Sequence, residues 1–273
     1  MKVTAITATG DRHMCLNLLS KWISNQTLRP DQWLIVDDGK EPFMPNMNCD
    51  YIYRKPQGSD PKHTLMLNLK TALKHVEGDI VLFMEDDEYY APDYVKTMVD
   101  KIQGHELVGI CKSKYYHLPA RKYFVHPNQD HASLAQTGMV KEYLPRFETL
   151  LEGDSFIDLR MWCDIANKTR VENHYRNISM NPNGIVIGNG RGYLFDDGLS
   201  DCLYVGIKGM PGRAGIGSGH RCFLGALDLN GEILKKWMPK DYQTYLNLNL
   251  QIPLSAPSKK RVGRRFLDEV RFD

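Results

Sequence analysis

A three-layer α/β sheet is the fold expected from this chain, on three grounds. Strand and helix signals alternate through the first 112 residues; one apolar run, Ile80 to Met84, is continuous, as in a strand covered on both faces; and two acidic clusters, Asp37-Asp38 and Glu85 to Glu88, stand where strands end. Ligands of such sheets bind beyond the carboxyl ends of the strands. At 273 residues, 42% hydrophobic and 25% charged, the chain can build one main domain with additions.

The elements follow in order. KVTAITA (2–8) is rich in strand formers and ends at Thr9-Gly10-Asp11, after which Cys15, Leu18, Leu19, Trp22 and Ile23 fall at helical spacing. Trp33 to Val36 is a second strand, closed by the turn Asp37-Asp38-Gly39, and DYIYRK (50–55) offers a third. Leu65, Leu69, Ala72, Leu73 and Val76 form a helical stripe with Gly78 as its expected C-cap. Pro92 is expected to open the next helix, whose apolar face is Tyr94, Val95, Met98, Val99 and Ile102, and LVGIC (107–111) is a further strand. Beyond 112 the pattern loosens. YYHLPARKYFVH suggests a hairpin turning near Leu118 to Ala120, Phe147 to Ala166 one or two helices broken at Glu152-Gly153-Asp154, and 171–225 short strands between glycines. The expected division is 1–112, 113–225 as the second half of the same domain, and 226–273 as a C-terminal extension.

Charge and cysteine usage bound the function. A net charge of +2 sets little global field, so the total points to no particular partner, although Lys259, Lys260, Arg261, Arg264 and Arg265 crowd the C-terminus, as a solvated tail or a phosphate or nucleic-acid contact. Six scattered cysteines without a CxxC pair suit a reducing compartment. No stretch approaches the roughly 18 uncharged residues of a membrane helix, and the start is too poor in apolar residues for a signal peptide, so a soluble cytoplasmic protein without integral membrane association is expected. Three glycosylation sequons are then chance matches.

The four consecutive acids need something positive to gather them. In an extended segment residues two apart point the same way, so Glu85 and Asp87 can face one cation. Oxygen ligands without nearby His-x-His or Cys favour Mg²⁺ or Mn²⁺. The alternative is a charged loop capping the helix near Pro92. His117, His126 and His131 are too irregularly spaced for a zinc site. Met161 and Trp162 read as core, and Tyr89 and Tyr90 as either packing or the border of a pocket.

GDIVLFMEDDEYYAPDYV (78–95) resembles the segment of GT-A nucleotide-sugar glycosyltransferases, family 2 and its relatives, in which a strand runs into an acid-x-acid motif and then a proline. ITATGDR, WLIVDDG and FETLLEGDSFIDLRMW resemble, in the right order, the family's first strand and loop, its nucleoside-binding strand, and the segment carrying the general base. The likeness covers about residues 1 to 165. It implies a Rossmann-like single domain with a mixed central sheet and a metal-dependent, inverting transfer of sugar from a nucleoside diphosphate, UDP above all, to an acceptor hydroxyl. By this likeness Asp37 or Asp38 contacts the nucleoside, Thr9 and Arg12 line the pocket, Glu85 and Asp87 hold the ion, and Asp86 lies beside the sugar or ribose. Asp154 is the proton acceptor and Glu152 its alternative. The first acid departs from the family's commoner Asp.

VGIKGMPGRAGIGSGH (205–220) adds an expected anion nest in which Lys208 and Arg213 close over a diphosphate and His220 reaches the metal, or else a simple strand-turn-strand. The acceptor is expected to be a glycan or a polyanion such as DNA with a hydroxylated base, the latter suggested by the basic tail and KSKYYHLPARKYFVH. Two other functions compete. A nucleotidyltransferase would carry a Gly-rich basic loop after the first strand, where this chain has TGDR; a non-catalytic nucleotide- or carbohydrate-binding module would need no proton acceptor.

Overall fold

The computed structural model describes residues 1–126, 128–152, 156–167, 178–181, 184–213, 225–248 and 250. The first half builds β1 (Val3–Thr9), α1 (His13–Ser24), β2 (Gln32–Asp37), β3 (Asp50–Tyr53), α2 (Leu65–Leu73), β4 (Ile80–Phe83), β5 (Tyr89–Tyr90), α3 (Tyr94–Lys101) and β6 (Leu107–Ile110). After the hairpin β7 (Lys114–His117) and β8 (Lys122–Val125) come β9 (Thr137–Val140), α4 (Leu144–Leu150), α5 (Ile157–Ile165), β10 (Ile178–Asn181), β11 (Gly184–Ile187) and β12 (Gly192–Phe195). β13 (Tyr204–Lys208), β14 (Ala226–Leu227), α6 (Glu232–Trp237) and α7 (Tyr242–Leu246) complete the described elements.

Nine strands form the main sheet in the order β10-β11-β12-β6-β9-β4-β1-β2-β3. β4, β1, β2 and β3 run parallel, whereas β9 is antiparallel to both β4 and β6, so the sheet is mixed. Successive residues of a strand face opposite sides. Ala5, Ile80 and Leu82 accordingly join one core with Leu19 and Trp22 of α1 and Met98 of α3, while Ile6, Val81 and Phe83 join another with Leu69 of α2, Phe147 of α4 and Trp162 of α5. Three layers result. Met161 and Trp162 are core, as expected.

Two local expectations are corrected. α2 ends at Leu73 with Lys74 as its cap, and Gly78 instead lies against β1, its N–H donating to Thr4 Oγ1 at 2.9 Å; a Cβ there would meet the Thr4 nitrogen at 2.5 Å. α3 starts at Tyr94 behind Asp93, so Pro92 precedes the cap and its carbonyl accepts Thr27 N–H at 2.8 Å.

A second sheet, ordered β14-β8-β7-β13-β5, crosses beyond the acids. Its short strand β5 follows Glu88 directly and pairs antiparallel with β13 through Tyr204 with Tyr90 and Val205 with Tyr89. Tyr89 and Tyr90 are buried here, in edge contacts with Trp22, Tyr94 and Tyr204, which answers their packing reading. Cys15, Cys49, Cys111 and Cys202 are free thiols. Among the described residues no helix is long and apolar enough to cross a membrane.

Candidate active site

The ends of β1, β2 and β4 lie side by side because those strands are neighbours in parallel, and they bring Thr9, Asp37, Asp38 and the acidic run together. β4 is extended past its last residue when Met84 N–H donates to the Ile6 carbonyl at 2.9 Å and Thr7 Oγ1 to the Met84 carbonyl at 2.8 Å. The acids that follow each meet a different environment. Glu85 N–H donates to the Tyr90 hydroxyl at 2.8 Å, while no side chain or backbone group of the described residues hydrogen-bonds its carboxylate. Asp86 accepts the Thr9 hydroxyl at 2.5 Å. Asp87 accepts Arg12 Nη2 at 2.7 Å, and Arg12 Nε stands 3.5 Å from Asp86. Glu88 accepts Ile207 N–H at 2.6 Å on one oxygen and the Lys208 ammonium on the other.

Two cations therefore gather the run, one from the loop after β1 and one from the end of β13. β5 stands between the acids and α3, and the first turn of α3 carries no acid, so the helix-cap alternative loses its geometry. Oxygens of Glu85, Asp87 and Glu88 lie within 4.8 Å of one another, a set of three that could hold a metal ion. Such crowding in a dry site disfavours the charged forms. Burial, with Glu88 and Asp87 adding repulsion, pushes Glu85 up to about 8; burial, opposed by Lys208, pushes Glu88 up to about 7; burial, opposed by Arg12, raises Asp86 to about 6. Burial works against the charges of Arg12 and Lys208 too, but the facing carboxylates more than offset it and both pKa values stand above the ordinary range.

Asp37 and Asp38 divide their work. Asp37 accepts Gly39 N–H at 2.7 Å, Phe43 N–H at 3.0 Å and the Tyr51 hydroxyl at 2.7 Å, which folds the 39–43 turn. Asp38 instead faces Arg54 Nη2 at 2.6 Å and the Arg213 guanidinium. Burial disfavours its charge, but hydrogen bonds from Thr64, Arg213 and Arg54 hold its pKa below the ordinary value. Arg54 also binds Asp60 at 2.8 Å and Asn68 at 2.7 Å.

The segment Gly209 to Arg213 crosses the loop after β1. Arg12 Nη1 donates to the Arg213 carbonyl at 3.0 Å, and a Cβ on Gly10 would meet the Arg213 guanidinium at 2.3 Å. Gly212, at φ +103°, leaves 2.6 Å between a would-be Cβ and both Arg12 Cγ and the Asp11 carbonyl, so only glycine fits there.

The structure thus brings Thr9, Arg12, Asp38, Glu85, Asp86, Asp87, Lys208 and Arg213 to one place. Lys208 enters as the partner of Glu88, with its side chain 7% exposed, not as a cation open to a diphosphate. Asp37 enters as scaffold. Glu152 is not joined to the cluster; it is 74% exposed and paired with Lys70 of α2 at 2.6 Å. Asp154, Gly215, Gly217, Gly219, His220 and the basic tail lie outside the described residues. Sequence reasoning missed Arg54 and Thr64. The signal for Arg54 was a cation directly after the strand that pairs with the DDG strand.

A sequence model of glycosyl transferase family 2 matches residues 17–153. The chain belongs to glycosyl transferase family 2. The matched span includes Asp37, Asp38 and all four acids, and ends one residue before Asp154. No curated protein sequence matches it. Among solved structures it is similar to S. aureus TarS 1–349 in complex with UDP-GlcNAc, at 14% identity and a TM-score of 0.49 over 79% of this chain and 60% of that one. It is also similar to the mannosyltransferase PcManGT from Pyrobaculum calidifontis in complex with GDP-Man and Mn²⁺ (15% identity, 53% and 46% covered, TM-score 0.39) and to a nucleotidyl transferase from Methanothermobacter thermautotroptrophicus (12%, 71% and 87%, 0.41). The chain spans 60% of the length of the TarS fragment. Its fold is the GT-A α/β fold of its family, with the mixed sheet described above.

Proposed function

We propose that this glycosyltransferase moves a sugar from a UDP-linked donor to an acceptor hydroxyl with inversion, with a divalent cation held by Glu85 and Asp87. One observation carries the reading: the four acids that follow β4 are gathered by two buried cations, leaving an excess of two negative charges when all are ionised. That excess, on hard oxygen donors with no His or Cys in the set, suits one Mg²⁺ or Mn²⁺. When bound, such an ion supplies Lewis-acid stabilisation of the charge on the leaving diphosphate.

The chain's own groups do the rest. Asp38 and Thr9 border the nucleoside, and the Arg213 guanidinium, 41% exposed beside Asp38, stands at the rim where a diphosphate would carry its charge. Asp154 takes the proton of the acceptor hydroxyl as its oxygen bonds the anomeric carbon; the bond from that carbon to the phosphate oxygen breaks, and its electron pair stays on the nucleoside diphosphate. A nucleotidyltransferase would cradle phosphates on the loop after β1, but here that loop's Arg12 is committed to Asp86 and Asp87. A glycan is the acceptor we favour over DNA: in the basic-aromatic stretch, Lys112 is paired with Asp196 at 2.5 Å and Lys114 with Asp197, which removes two cations a polyanion would use.

Thermal stability with UDP, GDP, CDP and dTDP, each with and without Mn²⁺, tests the reading on the native chain and Asp87→Ala. A ligand that binds only the folded state raises its melting temperature. Stabilisation by UDP that requires Mn²⁺ and vanishes in Asp87→Ala is expected. No shift with any nucleotide in any combination would sink the proposal.

A further inference from the structure

Glu88 is the third carboxylate within reach of an ion at this site, yet both of its oxygens are turned to β13, one to Ile207 N–H at 2.6 Å and one to Lys208. The pair is shut away from water, Glu88 at 1% and Lys208 at 7% side-chain exposure. The ammonium also lies 5.4 Å from the centre of the Tyr115 ring, and the Lys208 carbonyl accepts Leu118 N–H at 3.0 Å. The backbone around the lysine is confined. Gly206 leaves no room for a Cβ, which would meet Tyr115 at 2.4 Å, and Gly209 turns at φ +81° with Pro119 2.5 Å from a would-be Cβ. Lys208 therefore has one place to put its charge.

We propose that Lys208 is a positioning residue that holds Glu88 out of the ion's ligand set and fixes the charge of the acid cluster at the value one divalent cation cancels. The inference rests on the metal-dependent reading above. Its physical basis is that a buried charge acts through a low effective dielectric, so the loss of a fixed cation changes the attraction for an ion strongly. Without Lys208, Glu88 is released to bind the ion beside Glu85 and Asp87, and the excess negative charge grows by one. Without the Glu88 carboxylate, the excess shrinks by one.

Calorimetric titration of the full chain with Mn²⁺, alone and in the presence of UDP, reads these charges directly. The native chain is expected to bind one ion. Lys208→Met is expected to bind it more tightly, and Glu88→Gln more weakly, each on the order of tenfold. The double variant Lys208→Met/Glu88→Gln, with the native charge balance restored, returns to native affinity, and Lys208→Arg keeps it. A pair that merely braces β13 predicts equal or weaker binding in Lys208→Met and no recovery in the double variant, and that result would overturn the proposal. Should circular dichroism show Lys208→Met unfolded, the comparison of Glu88→Gln with the double variant decides: the double must bind more tightly, and equal affinity refutes the idea. A folded native chain that binds no Mn²⁺ with or without UDP defeats the metal reading itself, and the role of Lys208 with it.

Discussion

Asp37 and Asp38 are chemically identical neighbours, and only their partners separate them. The three donors on Asp37 are local, so Asp37→Ala leaves Gly39 N–H and the Tyr51 hydroxyl without their acceptor and Phe43 N–H with the Tyr51 oxygen alone. The expected cost is about 1–3 kcal/mol in a urea unfolding curve; an unchanged midpoint would contradict the scaffold role. Asp38→Asn is expected instead to weaken UDP binding, read by the same thermal-shift assay. Arg12 makes a sharper case. Removing one partner of a buried ion pair leaves the other uncompensated, at about 3–5 kcal/mol, and Arg12→Ala takes the cation from Asp86 and Asp87 together, Asp86 keeping the Thr9 hydroxyl. Because a divalent ion offers the charge that the arginine withdrew, millimolar Mn²⁺ should restore much of the lost stability to Arg12→Ala and little to a control variant on the far face.

At the scale of elements, the crossing of Gly209–Arg213 over the loop after β1 depends on Gly212. Gly212→Ala must either strain a backbone at φ +103° or lift the segment off Arg12, and we expect a loss of about 1–3 kcal/mol together with faster amide exchange at Asp11 to His13. Unchanged exchange would show that the segment does not depend on the close approach. The strands that frame this crossing were legible in the sequence. The apolar runs of β1, β2 and β4 and the helical stripes of α1, α2 and α3 are strong periodic signals, and strand ends follow from turn residues. The acids at the end of β4 were legible for the same reason. What gathers them was not. β5 is two residues long and has no period, β9 enters antiparallel between β4 and β6, and periodicity names no partners. Arg54 with Asp38 and Lys208 with Glu88 are pairings set by sheet order, so neither spacing nor composition could announce them.

For the whole molecule, the raised carboxylates set an unusual response to pH. Glu85, Asp86 and Glu88 hold protons more tightly folded than unfolded, so between the ordinary carboxylate range and about 8 the folded state carries the extra protons. Stability from these groups is complete at the acid end of that window and is lost as pH rises through it. The ion-free chain should therefore melt at a higher temperature at pH 5.5 than at pH 8. Saturating Mn²⁺ should flatten or reverse that slope by favouring the ionised carboxylates. A melting temperature that climbs with pH in the absence of metal would contradict the burial of these acids. The second sheet also gives the molecule a history. Lys208 follows Glu88 by 120 positions, and a ribosome adding about 5–20 residues per second needs roughly 6 to 24 seconds to reach it. Until then Glu88 has no Lys208 to meet, and of the two cations that gather the run only Arg12 has been made, so the charge balance of the acid cluster is completed by a strand of the second sheet.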